Sequence, residues 1–211
     1  METNNRYKLI EKKLYLKDTI TIAKELLGCV ITKEMPKYTL SARIVETEAY
    51  LGSEDPACHA YKKLTKRNQP MFEEGGISYV YFIYGNYYCF NVVTENRGVG
   101  AAVLIRAVEP IEGIEYMRKN RDYTSSDINL TNGPAKFCMA FDIKRRDNSL
   151  YLTEDRIKIY RRRKREKFTI AVSQRIGIKE GTELPYRFFI KGNPYVTKHK
   201  FNKEIITEIK S

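Results

Sequence analysis

Apolar residues alternate with polar ones, or run together with β-branched and aromatic residues, in several short segments bounded by turn-forming residues. This pattern is typical of β-strands, in which successive side chains point to opposite faces of a sheet. We predict strands in CVITKE, LSARIVETEAY, AAVLIRAVEP, FTIAVSQRIGI and YRFFIKG, and two more in ISYVYFIYGNYYCFNVVTE. This last segment turns at Tyr84-Gly85-Asn86-Tyr87, so its two strands are predicted to form a hairpin.

Helical spacing of apolar residues is less common along the chain. The segment DTITIAKELLG predicts a short helix, with Asp18 or Thr19 as its N-cap and Gly28 just beyond its end. Pro110 suits the first turn of a second helix. A third helix is predicted in LTNGPAKFCMAF, with Asn132 as its cap.

The predicted strands outnumber the helices that could connect parallel neighbours, so the fold class is predicted to be α+β with a mostly antiparallel sheet. A chain of 211 residues is long enough for one sizeable core, and we predict a single domain. The polar residues 1–14 and the last dozen residues, 200–211, are interpreted as tails on either side of a domain over 15–199.

Composition restricts the class of protein. A hydrophobic content of 42% indicates a folded chain, and no apolar run reaches the ~18 residues that a membrane span needs. The N-terminus has no apolar signal-peptide core, so we expect a location in the cytoplasm or nucleoid of a prokaryote, or in the nucleus of a eukaryote. The four cysteines are widely spaced without a C-x-x-C pair, which predicts free thiols and no metal site.

The charge of the chain is strongly positive, with a formal net charge of +12. A folded basic domain suggests a polyanionic partner, most often nucleic acid, although solubility alone could explain the excess. The densest basic run is YRRRKREK, which includes Arg161–Lys167 and lies between two predicted strands. It is interpreted as a solvated loop that could also contact phosphates.

Acidic residues in one predicted strand are unexpected in so basic a chain. With a period of two, one face of this strand would carry Ala42, Ile44, Glu46, Glu48 and Tyr50. Neither face is cleanly polar, so at least one carboxylate is predicted to lie near the core or in a cleft. Such a group must be paired or have a raised pKa. Periodicity alone favours a structural ion pair with a strand arginine such as Arg106 over a catalytic role.

The predicted hairpin is rich in tyrosine. One of its faces would carry Tyr79, Tyr81 and Ile83, and Tyr84 would lie at its tip. Aromatic residues commonly fill the core, but an aromatic ring at an exposed tip of a basic protein can also stack on nucleic-acid bases. A phosphate-binding glycine motif is absent from the sequence, which disfavours nucleotide-dependent enzymes.

Five segments in order carry a family resemblance: RIVETEAYLG, YVYFIYGNYYCFNV, LIRAVEP, LTNGPAK and RFFIKGNPYV. Together they closely resemble the alkyladenine (3-methyladenine) DNA glycosylase family, from about Tyr15 to about Val196. The resemblance implies a curved, mostly antiparallel sheet with surrounding helices and a protruding hairpin that intercalates into DNA. It also implies an enzyme of base-excision repair that flips damaged purines out of duplex DNA and hydrolyses the N-glycosidic bond.

The resemblance assigns the water-activating residues. Glu48 matches the family's catalytic acid, which positions and deprotonates a water molecule. Arg106 matches a residue that helps to hold this water, and the carbonyl of Ile176 matches a third water contact. Glu46 is left as a structural neighbour, and Glu54 and Asp55 are interpreted as loop residues.

The resemblance also assigns the residues that hold the base. Those that would sandwich the flipped base are Tyr50, His59 and Tyr81. Tyr84 would intercalate where the base has left, and Asn91 would disfavour guanine at the pocket floor. The backbone near Ala57 and His59 would read the adenine edge. Without the resemblance, a lone histidine such as His59 would be interpreted as a structural residue.

A monofunctional enzyme is expected, because no lysine nucleophile matches the motifs. It is also expected to use no cofactor or metal. Its partner would be double-stranded DNA that contains damaged purines, bound by a monomer that does not associate with membranes. The alternative is a non-enzymatic nucleic-acid-binding protein on the same fold. The combination of Glu48, Arg106, Tyr50 and His59 favours the enzyme, since a binding protein has no need of this set.

Overall fold

An antiparallel sheet organises the computed structural model, which describes residues 6–83, 85–122, 125–164 and 166–210. Its strands are β1 (Tyr7–Leu9), β2 (Val30–Glu34), β3 (Thr39–Leu51), β4 (Ser78–Ile83), β5 (Tyr87–Thr94), β6 (Ala101–Glu112), β7 (Ile157–Arg162), β8 (Thr169–Ser173), β9 (Arg187–Ile190) and β10 (Thr207–Lys210). The α-helices are α1 (Lys12–Tyr15), α2 (Thr19–Glu25), α3 (Ile114–Arg121) and α4 (Pro134–Ala140).

Strand β3 lies at the branch point of the sheet. The main path runs β1-β7-β2-β3-β6-β5-β4, and a branch continues from β3 through β9 and β8 to β10. The first half of β3 lies between β2 and β6, whereas Glu46–Glu48 lie between β9 and β6. All of these pairs are antiparallel, which confirms the predicted α+β class. The curvature of the sheet and the insertion of the β4–β5 hairpin into DNA stay predictions.

A bulge interrupts β3 beside the site that is described below. The register between β3 and β6 shifts on both sides of Glu46, which pairs with Ala107. Bulges twist a strand locally and redirect its side chains, and they are frequent next to active sites. Here Glu46 and Glu48 are both fully buried and both contact Arg106.

The helices cover the sheet with apolar side chains. Helix α2 packs on β3 and α4 packs on β5 and β6, while α3 packs on α4. Phe137 of α4 meets Phe90 of β5 edge-on, with ring centroids 6.1 Å apart, and both side chains are fully buried. This packing supports the strands that carry the candidate site.

The first predicted helix is confirmed, and the third differs only in its cap. Asp18 caps α2 by accepting a hydrogen bond from the N–H of Thr21 at 2.9 Å, and Gly28 beyond its end has a φ of 78°. Helix α4 begins at Pro134, but its N-cap is Gly133 rather than the predicted Asn132. Asn132 instead accepts a hydrogen bond from Lys136 at 2.7 Å.

The second predicted helix is present, but its predicted start at Pro110 is wrong. Pro110 belongs to β6, where it pairs with Ala42 beside a register shift. Proline is tolerated in a strand at such an irregularity because the missing N–H leaves no ladder hydrogen bond unfilled. Helix α3 starts only after Gly113, which has a φ of 75°.

The two segments interpreted as tails each contain an edge strand. Strand β1 pairs with β7, and β10 pairs with β8. Ile209 of β10 also packs against the main core. These short polar segments gain strand structure from the backbone groups of an existing edge, which their own composition does not reveal.

Gly113→Ala is expected to destabilise the fold more than Gly192→Ala. Both glycines have φ near 75° (75° and 77°), so each substitution carries the same backbone strain, roughly 1–2 kcal/mol. A Cβ at position 113 would lie 2.7 Å from Leu40 Cδ2 and 2.8 Å from the carbonyl oxygen of Thr39, whereas position 192 has open space. Chemical denaturation measures both free energies of unfolding, and equal losses would contradict the close contact at Gly113.

Candidate active site

Glu48 of β3 is fully buried and accepts hydrogen bonds from three groups. Its Oε2 atom accepts from the hydroxyl of Tyr50 at 2.9 Å and from Nη1 of Arg106 at 3.2 Å. Its Oε1 atom accepts from the backbone N–H of Ile176 at 2.8 Å. Tyr50 lies on the same strand, Arg106 on the adjacent β6, and Ile176 on the segment after β8. Three parts of the chain therefore converge on one carboxylate.

Arg106 joins Glu48 to a second buried carboxylate. Its Nε atom donates to Oε1 of Glu46 at 3.0 Å, and Nε of Arg187 donates to the same oxygen at 2.7 Å. The N–H of Thr197 donates to Oε2 of Glu46 at 2.9 Å. Burial works to raise the pKa of Glu46, but Arg106 and Arg187 outweigh it, so this pKa lies below its usual value. The structural ion pair predicted from periodicity is therefore present.

A cavity of about 470 Å³ opens beside this cluster. The residues predicted for the site that line it are Tyr50, Ala57, His59, Tyr81, Asn91, Arg106 and Ile176. Glu48 lies directly behind these residues, with each of its three donors contributing to the cavity wall. The predicted intercalating residue, Tyr84, lies outside the described residues.

Aromatic side chains form one wall of the cavity. The rings of His59 and Tyr81 are 4.5 Å apart between centroids, and Tyr79 and Tyr81 are 5.3 Å apart. The hydroxyl of Tyr79 lies 3.0 Å from Nδ1 of His59, a hydrogen bond whose donor depends on the histidine tautomer. Tyr79 was not among the predicted site residues, although the two-residue period had placed it on the same face as Tyr81.

The floor of the cavity includes a fixed amide and a thiol. Nδ2 of Asn91 donates to the carbonyl oxygen of Tyr79 at 3.0 Å, so the carboxamide is held in one orientation. Cys89 also lines the cavity, and burial raises its pKa to about 11. A thiol that keeps its proton is a poor nucleophile.

Arg175 and Asp55 form a buried ion pair that the sequence did not predict. Nη1 and Nη2 of Arg175 donate to the two carboxylate oxygens of Asp55 at 2.5 and 2.7 Å. Asp55 also accepts from the N–H groups of Leu51 and Ala57, at 3.2 and 3.1 Å. Asp55 lies in a loop, as predicted, but its side chain is fully buried. The pair fixes the segment that carries Ala57 and His59 to the end of β3.

The same arginine supports the opposite wall of the cavity. The Arg175 guanidinium lies 4.7 Å from the ring centroid of Tyr50 and donates to the carbonyl oxygen of Ala49 at 2.9 Å. Its neighbour in sequence is Ile176, whose N–H holds Glu48. Arg175 therefore couples the position of the Tyr50 ring to that of the Glu48 carboxylate. Only its position next to Ile176, within FTIAVSQRIGI, could have drawn attention to it.

The described ranges contain neither a cluster of metal ligands nor a helix that could span a membrane. Within residues 6–83, 85–122, 125–164 and 166–210, no three histidine, cysteine, aspartate or glutamate side chains are grouped to hold a metal ion. In the same part of the chain, every helix is too short or too polar to cross a membrane.

Comparison with known proteins assigns the chain to a family. A profile of the family described as methylpurine-DNA glycosylase (MPG) matches residues 13–194, most of the chain. The chain belongs to the methylpurine-DNA glycosylase family. Family membership identifies it as a DNA glycosylase that processes alkylated bases in DNA repair. The resemblance read from the five sequence segments is thereby confirmed.

Relatives in several bacteria match this chain over most of their length. A Clostridium beijerinckii protein is 42% identical over 201 residues, which cover 90% of this chain and 99% of the relative. A Francisella tularensis subsp. tularensis protein is 47% identical over 192 residues, which cover 90% of this chain and 98% of the relative. Both carry the name "Putative 3-methyladenine DNA glycosylase".

His59 is expected to stay uncharged throughout the neutral pH range. The ring is reached by solvent at the cavity mouth, but the surrounding side chains desolvate it, and this desolvation together with Arg67 lowers its pKa to about 4. An NMR titration of the imidazole should show a midpoint well below the ~6.5 of an unperturbed histidine. His199, the only other histidine in the sequence, can be assigned with a His199→Gln variant.

The lowered pKa of His59 makes the stability of the folded protein depend on pH. The unfolded chain would bind a proton at His59 near pH 6.5, whereas the folded protein binds it only near pH 4. Stability is therefore retained above about pH 6.5 and declines as the pH falls towards 4, by a small amount because the ring is exposed. A titration midpoint at or above 6.5 would contradict this environment.

Proposed function

We propose that this protein removes alkylated purines, including 3-methyladenine, from duplex DNA by flipping the nucleotide and hydrolysing its N-glycosidic bond. The observation that carries the proposal is the position of Glu48, held by Tyr50, Arg106 and Ile176 directly behind an aromatic-lined cavity. The names of the relatives support 3-methyladenine as a substrate. The product would be an abasic site in an uncut strand.

The cavity suits a base that carries a positive charge. Rotating a nucleotide out of the duplex costs a few kcal/mol, and less at a damaged pair. Stacking on Tyr81 and Tyr50 can return about 1–3 kcal/mol per aromatic contact, and a cationic purine adds attraction to the electron-rich ring faces. A neutral His59 adds no repulsion to such a base. Tyr84 would fill the space that the base leaves in the duplex.

Hydrolysis at this site needs one carboxylate. As the bond between the sugar and the base breaks, its electron pair leaves with the cationic purine, which becomes neutral. Positive charge develops on the sugar, where Glu48 can stabilise it. The oxygen of a water molecule bonds to the sugar carbon while its proton passes to Glu48. No second carboxylate is required to protonate the leaving group, in contrast to enzymes that cleave ordinary glycosides.

Access of water to Glu48 requires a change at the cavity wall. In the free protein the Tyr50 hydroxyl donates a hydrogen bond to Oε2 of Glu48. The same oxygen also accepts a hydrogen bond from Arg106. We propose that the hydroxyl yields this position to the reacting water when a nucleotide enters. Arg106 and the carbonyl of Ile176 would then help to hold the water.

The proposal also covers the oligomeric state of the protein, its DNA substrate and its location. The protein would act as a monomer on double-stranded DNA, in the nucleoid of a bacterium or the nucleus of a eukaryote. Asn91, fixed by Tyr79, would disfavour guanine by crowding its 2-amino group. The alternative, a nucleic-acid-binding protein without activity, gives no reason for the water-activating arrangement around Glu48.

Glu48→Gln is expected to abolish base release while binding to damaged duplex persists. The amide keeps the shape of the carboxylate but cannot take a proton from water, so the rate should fall by at least about 100-fold. Single-turnover assays on a duplex that contains 3-methyladenine, with chromatography of the released base, measure this rate. Glu54→Gln, at an exposed acid of the next segment, is the matched control. Near wild-type release by Glu48→Gln would refute the mechanism.

Tyr50→Phe is expected to retain base release, whereas Tyr50→Leu should lose most of it. Phenylalanine keeps the stacking ring and removes only the hydroxyl that occupies Oε2 of Glu48. Leucine removes the ring, and with it a contact worth about 1–3 kcal/mol, or roughly 5–150-fold in binding. The same single-turnover assay, run over a range of enzyme concentrations, separates binding from the chemical step. If Tyr50→Phe were as inactive as Glu48→Gln, the hydroxyl would be required and would not yield to water.

A further inference from the structure

A second concave surface adjoins the candidate active site and has a different chemical character. This groove has a volume of about 730 Å³. Its lining residues are Lys66, Arg67, Val80, Tyr81, Phe82, Tyr88, Arg145 and Asn148. We call it the basic groove, because three of these residues are cationic and none is acidic. Tyr81 lines both the groove and the active-site cavity, so the two are continuous across one side chain.

The three cations of the groove differ from the cations around them. Across the described parts of the chain, no carboxylate lies within 4.0 Å of Lys66, Arg67 or Arg145, and all three residues are exposed. In contrast, Lys144 and Arg146, on either side of Arg145, both pair with Asp142. Among the described residues, the groove thus presents three cations that no carboxylate compensates.

The acidic residues near the groove already form ion pairs with other cations. Lys66 also borders a neighbouring depression that contains Glu73 and Glu74. Glu73 pairs with Arg97, and Glu74 pairs with Lys12. These acids therefore do not cancel the charge of the groove, which is left to attract an anion from outside the protein.

One exposed and two half-buried aromatic rings accompany the cations. Phe82 has 49% of its surface exposed, and its ring packs against Tyr88 with centroids 5.0 Å apart. The carboxamide of Asn148 is fixed by the N–H of Val80 at 2.8 Å and adds a polar group at the groove wall. Cations interleaved with exposed aromatic rings are typical of surfaces that contact nucleic acid.

Arg67 connects the basic groove to the base-binding wall. Its guanidinium lies 5.3 Å from the ring centroid of Tyr81. It also contributes to lowering the pKa of His59, after desolvation. An anion bound beside Arg67 would therefore act on the wall that holds the flipped base.

We infer that the basic groove binds the phosphodiester backbone of the DNA duplex next to the flipped nucleotide. The inference rests on the proposed function for its ligand and adds the surface that holds it. Phosphate contacts of this kind position a duplex without reading its sequence. Lys66 and Arg145 would make these contacts directly, and Arg67 would join them to Tyr81.

The test is the salt dependence of DNA binding by the double variant K66Q/R145Q. Two probes are used: an undamaged duplex and a duplex that contains a stable tetrahydrofuran abasic analogue. Loss of two phosphate contacts should reduce the slope of log Kd against log salt by about 1.8. At low salt, Kd should rise roughly tenfold for both probes. An equal loss on both probes identifies a backbone contact, since a defect in the base pocket would affect the damaged duplex more.

The matched control is the double variant K203Q/K210Q. It removes the same charge from exposed positions just before and at the end of β10, at the far end of the branch of the sheet. Its binding should stay closer to that of the wild type. An equal loss in both double variants would attribute the effect to net charge and overturn the inference. Unchanged affinity and slope in K66Q/R145Q would also overturn it, and would point to another anionic ligand such as an acidic protein.

Release of damaged base by the wild type tests the proposed function separately from the groove. If the wild type releases 3-methyladenine but K66Q/R145Q binds both probes normally, the groove inference fails while the glycosylase mechanism stands. If the wild type releases no damaged base, the mechanism fails, and the binding curves still decide whether the groove contacts the backbone.

Discussion

A row of alternating buried charges holds the site together. Glu48 accepts from Arg106, Arg106 donates to Glu46, and Glu46 accepts from Arg187. All four side chains are buried, and burying an ion is costly unless an opposite charge and hydrogen bonds compensate for the lost hydration. Because β3, β6 and β9 each contribute to the row, their relative positions are tied to this compensation. The bulge at Glu46 is where β3 adjusts its register to bring both carboxylates to Arg106.

Local features of this fold were predictable, and features that depend on distant partners were not. Helix α2 and the strands of the β4–β5 hairpin follow from capping residues, periodicity and a turn within a short segment. Pro110 was misassigned because a proline suits both a helix start and a strand irregularity, and only the pairing with Ala42 decides between them. The terminal strands β1 and β10 likewise exist because an edge of the sheet is available to them.

The same distinction applies to the candidate site. Two-residue alternation placed Glu46, Glu48 and Tyr50 together and suggested Arg106 as an ion-pair partner, and the structure brings all four residues into one cluster. Alternation could not separate the two carboxylates, because both are buried and both are paired. The pair formed by Arg175 and Asp55 spans 120 residues of sequence, and no periodic pattern connects positions so far apart. Its effect on Tyr50 and Ile176 becomes visible only in three dimensions.

The burial of Glu48 explains how a chain with a net charge of +12 can hold a carboxylate beside the cavity without weakening the positive field at its surface. A carboxylate on the DNA-facing surface would repel phosphates and weaken the field that draws the duplex in. Glu48 is instead buried, and Arg106 compensates its charge at 3.2 Å, so little of that charge reaches the surface. The phosphate contacts that we propose for the basic groove lie outside the cavity, at exposed cations. In the proposed mechanism, the acid acts only on the sugar of a nucleotide that has left the duplex and entered the cavity.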